Sequence, residues 1–158
     1  MTIIYIAIFI LLIIADQLSK YAAFINLQPI GRMPIINGLI EFSYVQNEGA
    51  AFGMLQGARW FFIPLTIVIV TAMVIFFIKL PKTKQYEPVR ILLVIIGAGA
   101  IGNFINRLIS GYVVDFFNFM FIDFPVFNLA DIFISVGAVL LGIYIIFFLK
   151  DDKDGKKR

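Results

Sequence analysis

Gly97-Ala98-Gly99-Ala100-Ile101-Gly102-Asn103, followed by Asn106-Arg107, then Asp115 in Val113-Val114-Asp115-Phe116 and Asp131 in Phe127-Asn128-Leu129-Ala130-Asp131, is the stretch that organises the chain. Its first part is apolar enough to lie in a bilayer, and its small residues let a neighbouring helix approach closely. Gly99, Asn103 and Arg107 recur every four residues, so a helix presents them on one face. Polar and ionisable side chains beside long apolar runs are costly in lipid, which makes such a cluster a candidate functional site. A carboxylate then stands at each end of the connection to the next apolar run.

Composition gives that stretch its setting. Apolar side chains make up 61% of 158 residues and the mean hydropathy is +0.98, against about 45–50% apolar content in soluble domains. The chain reads as one integral membrane domain, residues 1–158, with room for a few spans of about 20 residues. Cysteine and histidine are both absent. Their absence excludes thiol nucleophiles, disulfides, Ser-His-Asp triads and the usual zinc sites, leaving carboxylate, amide, Lys, Arg, Ser and Tyr chemistry. The net charge of +3 reports orientation more than partners, and nothing points to nucleic acid.

Four spans are expected, at about 3–24, 60–78, 89–109 and 127–149, making a mostly α membrane protein. The first lacks the positive n-region and the small-residue cleavage site of a signal peptide. Asp16 and Lys20, four apart, share a helix face and can pair. Trp60-Phe61-Phe62 opens the second span with interfacial aromatics, and Pro64 sits in its first turns, where a missing N–H matters least. Between spans 1 and 2, over Asn26–Ala58, glycines and prolines break the helical pattern. Ile40-Glu41-Phe42-Ser43-Tyr44-Val45 alternates there as a strand, a small β element able to hold an extended substrate by its main chain. Asn47-Glu48-Gly49-Ala50-Ala51-Phe52-Gly53 follows as a compact turn. Of 13 Lys and Arg, four lie within Lys79–Arg90 and five from Lys150 onward. That asymmetry places both termini in the cytoplasm, with 25–59 and 110–126 extracytoplasmic and the aromatics of Phe116–Phe121 at headgroup level.

This topology brings Asp115 and Asp131 to similar depth near the outer leaflet boundary. Two carboxylates sharing a low-dielectric site cannot both ionise comfortably, so the pair shares a proton. One can then activate water while the other protonates the scissile carbonyl or the leaving amine. Asp131 stands three residues after Asn128, an N-cap type, and a helix N-terminus favours an anion, so Asp115 is expected to carry the shared proton more often.

On the motifs Asp16-Gln17-Leu18-Ser19-Lys20, Asn47-Glu48-Gly49-Ala50-Ala51-Phe52-Gly53, Gly99-Ala100-Ile101-Gly102-Asn103 with Arg107, Val113-Val114-Asp115-Phe116 and Phe127-Asn128-Leu129-Ala130-Asp131, the sequence resembles lipoprotein signal peptidase (signal peptidase II) over nearly its whole length. The resemblance implies a four-helix aspartic endopeptidase of the bacterial cytoplasmic membrane. Such an enzyme removes signal peptides from diacylglyceryl-modified prolipoproteins on the N-terminal side of the lipidated cysteine, and the cyclic peptide globomycin inhibits it. It further implies Asp115 and Asp131 as the catalytic dyad, Asn47, Gly49, Asn103, Arg107 and Asn128 as substrate-site residues, and Asp16 and Lys20 as part of the same site, with no metal or cofactor. Membrane lipid and lipid-modified substrates are the expected partners of a monomer. One departure stands out: many members of the family have Asp-Arg where this chain has Asn106-Arg107. Two rivals keep their own expectations. A small transporter or proton relay calls for carboxylates at mid-bilayer depth, and a metal-dependent lipid-headgroup transferase calls for more carboxylates than the cluster offers.

Overall fold

A computed structural model describes residues 2–49, 55 and 57–149 of the chain. Four helices, α1 (Thr2–Leu27), α2 (Arg59–Lys79), α3 (Glu87–Ile109) and α4 (Leu129–Phe147), are each long and apolar enough to cross a membrane. Their outward faces carry side chains such as Ile3, Leu11, Ile67 and Val139, suited to lipid contact. α3 is central and packs on the other three. It buries Gly97, Ala98, Gly99 and Gly102 against its neighbours. A Cβ at Gly99 would lie 2.5 Å from the Ala130 carbonyl oxygen and 3.0 Å from Ile134 Cγ1, and one at Gly102 would collide with the Asp16 carboxylate. α4 and α1 therefore approach α3 because those side chains are missing. α2 buries no residue and packs chiefly on α3.

One end of the bundle carries an antiparallel sheet of three strands, β1 (Arg32–Ile36), β2 (Ile40–Asn47) and β3 (Val113–Phe119), in the order β1-β2-β3. The alternating stretch at Ile40 is β2. β1 and β3 add two strands to the one expected from the sequence. β1 holds Pro34, which suits an edge strand. In β3, Val113 to Phe116 are all buried, so the polar–apolar alternation that marks a half-exposed strand is missing. Val114 and Phe116 join Ala23 and Leu27 of α1 in a small core. Phe116 and Phe117 pack in and against this core, whereas Phe121 is exposed. The pleat turns Asp115, between Val114 and Phe116, to the opposite face. An irregularity between Phe42 and Val45 of β2 sets the register that pairs Val45 with Asp115 and Asn47 with Val113. β3 runs along one edge of β2, while β1 pairs with the other edge only from Ile40 to Ser43.

The opposite end is tied by polar groups. Arg90, buried, donates to the carbonyls of Leu80 and Pro81 at 2.9 and 2.6 Å. The Tyr5 hydroxyl donates to Glu87, and the Tyr144 hydroxyl to the Gln85 carbonyl at 2.8 Å. Ala50–Gly53 of the expected compact turn and the charged tail after Leu149 lie outside the described residues.

Gly99→Ala is expected to destabilise the protein by about 1–3 kcal/mol, since overpacking a rigid contact forces backbone shifts. Gly142→Ala, with no atom within 4 Å of the new Cβ, is expected to be neutral. Thermal unfolding of both variants in detergent checks this; equal behaviour would contradict the packing.

Candidate active site

The first turn of α4 builds half of the site. Asn128 caps it, accepting the Asp131 N–H on Oδ1 at 3.1 Å, while Asp131 Oδ2 accepts the Asn128 N–H at 3.0 Å. This is a reciprocal capping box, with an acidic side chain at the positive end of a helix. The cap also points elsewhere. Asn128 Nδ2 donates to Asp115 Oδ1 at 2.6 Å, so one fully buried asparagine touches both aspartates.

Three asparagines hold the carboxylates in the same way: something fixes the carbonyl end, so the amide end meets the anion. Asn47 accepts the Gly49 N–H at 3.0 Å and donates to Asp115 Oδ2 at 2.8 Å. Asn103 accepts the Lys20 ammonium at 2.8 Å and donates to Asp131 Oδ1 at 2.8 Å. Asn128 completes the set. Each aspartate thus has both oxygens hydrogen-bonded, Asp115 by two side chains and Asp131 by Asn103 and the Asn128 backbone.

Behind them lies a buried ion pair. Lys20 Nζ is 2.8 Å from Asp16 Oδ2, and the two residues are 2% and 0% exposed. Such a pair is stable only with its remaining groups satisfied. On the acid, Asp16 Oδ1 takes the Ala130 N–H at 3.0 Å and Oδ2 also takes Gln17 Nε2 at 2.9 Å, while the ammonium also donates to Asn103. Gln17 further reaches the Gly102 carbonyl at 3.1 Å and exchanges bonds of 3.3 Å with Asn106. Asn106 is therefore a hydrogen-bond partner of Gln17.

In front, a cavity of about 370 Å³ is lined by Asn47, Arg107, Asp115 and Asp131 together with Phe124–Phe127, Ile134 and Ser135. Arg107 stacks over Phe62 at 4.8 Å and donates to the Gly49 carbonyl at 3.0 Å. Its Nε is buried without a partner among the described residues. Of the residues expected at the site, Asp115, Asp131, Asn47 and Arg107 line this cavity. Asn103, Asn128 and Gly49 stand behind as the groups that orient them. Asp16 and Lys20 lie deeper still and are absent from the cavity wall. The sequence reading gave no role to Gln17 or to the Phe124–Phe127 strip; for Gln17, its place beside Asp16 was the available signal.

The family model described as signal peptidase (SPase) II matches residues 8–147. A lipoprotein signal peptidase of Clostridioides difficile (strain 630) is 44% identical over 144 residues, covering 91% of this chain and 95% of that protein. One of Caldanaerobacter subterraneus subsp. tengcongensis is 49% identical over 133 residues, covering 84% and 88%. A solved bacterial membrane enzyme superposes with a TM-score of 0.80 at 35% identity, over 98% of this chain and 92% of that one.

Burial pushes the Asp115 carboxyl up to about 6 from the ordinary 3.8, and the neighbouring Asp131 adds to the push. Hydrogen bonds from Asn47 and Asn128 and the Lys20 charge pull the other way. The folded chain holds this proton more tightly than the unfolded one. The Asp115 contribution to stability is therefore fully present below 3.8 and lost as pH rises through about 6, about 3 kcal/mol in all. Between pH 4 and pH 7 the parent is expected to lose more stability than Asp115→Asn, as read by thermal unfolding; equal pH dependence would contradict the assignment.

Proposed function

The chain belongs to the signal peptidase II family, and we propose that it is an aspartic endopeptidase in which Asp115 and Asp131 hydrolyse the peptide bond before the lipidated cysteine of a prolipoprotein. The observation that supports this reading is the single cavity lined by both carboxylates, each locked in place by asparagine donors. Asp131 takes a proton from a water as the water oxygen attacks the scissile carbonyl carbon, and Asp115 donates its proton to the carbonyl oxygen. The tetrahedral intermediate then collapses: the C–N bond breaks, the proton on Asp131 passes to the leaving amine, and Asp115 recovers its own. Arg107, whose side chain lines the cavity, supplies positive charge where negative charge develops on the carbonyl oxygen.

Asn103, Asn128, Asp16 and Lys20 act through the aspartates as positioning residues, and Asn47 both positions Asp115 and faces the substrate. The sheet end of the bundle faces away from the cytoplasm, and both termini face into it. This puts the dyad beside the outer leaflet of a bacterial cytoplasmic membrane, where acyl chains in lipid hold the substrate's cysteine. Globomycin lodges between the aspartates of a monomeric enzyme. A proton relay would place its carboxylates at mid-depth on interrupted helices, whereas α1, α3 and α4 run unbroken and the acids sit at one end.

Purified protein incubated with a diacylglyceryl-modified prolipoprotein is expected to cleave it with or without chelator. Asp115→Asn and Asp131→Asn are each expected to lower the rate by at least about a hundredfold, the scale of lost acid–base catalysis. Retained cleavage in either variant, or strict metal dependence, would remove the dyad.

A further inference from the structure

The edge of β3 that faces away from β2 receives one residue of the connection to α4. The N–H groups of Phe116 and Phe117 donate to the Phe127 carbonyl at 3.0 and 2.8 Å, and the Phe127 N–H donates to the Phe117 carbonyl at 3.0 Å. This isolated antiparallel bridge lays the strip before Asn128 against the edge of β3 at one residue. In extended chain the main-chain groups of successive residues point to opposite edges. Phe127 turns both of its groups to β3, and by this alternation the N–H and carbonyl of Val126 are the groups left for the opposite edge. Among the described residues neither is hydrogen-bonded. Pro125 has no N–H and cannot extend the ladder on β3. Phe124 uses its N–H on the Ile122 carbonyl at 3.0 Å and leaves its own carbonyl free among the described residues. Phe124, Pro125 and Val126 all line the cavity that holds Asp115 and Asp131.

An unpaired strand edge is a template for another extended chain. β2, the strand suggested by the sequence for this purpose, is paired with β3 on one edge and with β1 over Ile40–Ser43 on the other. We propose that the Val126 edge, with the carbonyl of Phe124, takes the extended segment of the substrate beside the scissile bond as an added strand. One substrate residue exchanges two hydrogen bonds with Val126, and the residue two further along donates to Phe124. The occupant must be extended, because a helix satisfies its own main-chain groups and hides the carbonyl that water has to reach. Recognition through the main chain reads no side chains, so substrates of different sequence fit the same edge. This inference rests on the peptidase reading above.

The test uses the full-length protein in lipid with synthetic diacylglyceryl-cysteine peptides. Each peptide is N-methylated at one amide within three residues of the scissile bond, with the scissile amide itself untouched. A second enzyme carries 2-hydroxy-3-methylbutanoic acid at position 126, which keeps the valine side chain and exchanges only the N–H for an ester oxygen. The ester enzyme is expected to lose about tenfold in kcat/KM, mainly through KM, the scale of one hydrogen bond left unmade. N-methylation is expected to cost the parent enzyme a similar factor at alternate residues and little at those between. An ester enzyme as efficient as the parent, or N-methyl effects equal at adjacent residues, overturns the edge pairing while cleavage of the unmodified peptide leaves the peptidase reading standing. A parent enzyme that leaves the unmodified peptide intact overturns the peptidase reading itself.

Discussion

The site depends on a cation where a membrane protein can least easily keep one. Lys20 is buried among helices, and its ammonium meets the Asp16 carboxylate on one side and the Asn103 carbonyl on the other, each at 2.8 Å. A buried charge persists only when fully paired, and the pairing here does further work. By fixing the oxygen of Asn103, Lys20 leaves the amide no orientation but toward Asp131. Asn128 and Asn47 repeat the arrangement with backbone N–H groups in place of the ammonium. Two carboxyl groups are thereby held at one cavity by three neutral side chains, each turning its amide N–H toward a carboxyl oxygen.

Packing supplies the distances this network needs. Asp16 reaches both Lys20 and the Ala130 N–H because its carboxylate occupies the space a Gly102 side chain would fill. Ala130 in turn sits against Gly99. The small residues of α3 therefore fix where α1 and α4 stand, and α4 carries Asn128 and Asp131 at its first turn. β3 delivers Asp115 from the other side, anchored by Val114 and Phe116 on the end of α1. Helix packing and sheet register meet at Asn128, whose side chain is bonded to a group that each positions.

Much of this was legible in the sequence. Long apolar runs declare the helices, and the connection between α3 and α4 brings Asp115 and Asp131 to similar depth, a pairing that the motif resemblance then singled out as the dyad. The sheet was only partly readable. β3 buries both faces and so loses its alternation, and β1 contains a proline that argues against a strand until its edge position is known. Spacing of four showed that Asp16 and Lys20 could pair, but it carries no depth. That they stand behind the cavity and orient its walls follows from the crossing of α1 against α3, which a single helix pattern does not encode.

The central claim is that Asp115 and Asp131 occupy one electrostatic site, and carboxyl carbon NMR of protein labelled at aspartate tests it most directly. Asp115 is expected to titrate at about 6 and to move downward when Asp131→Asn removes the neighbouring charge. An Asp115 resonance titrating at the ordinary 3.8, or one indifferent to Asp131→Asn, would contradict the account.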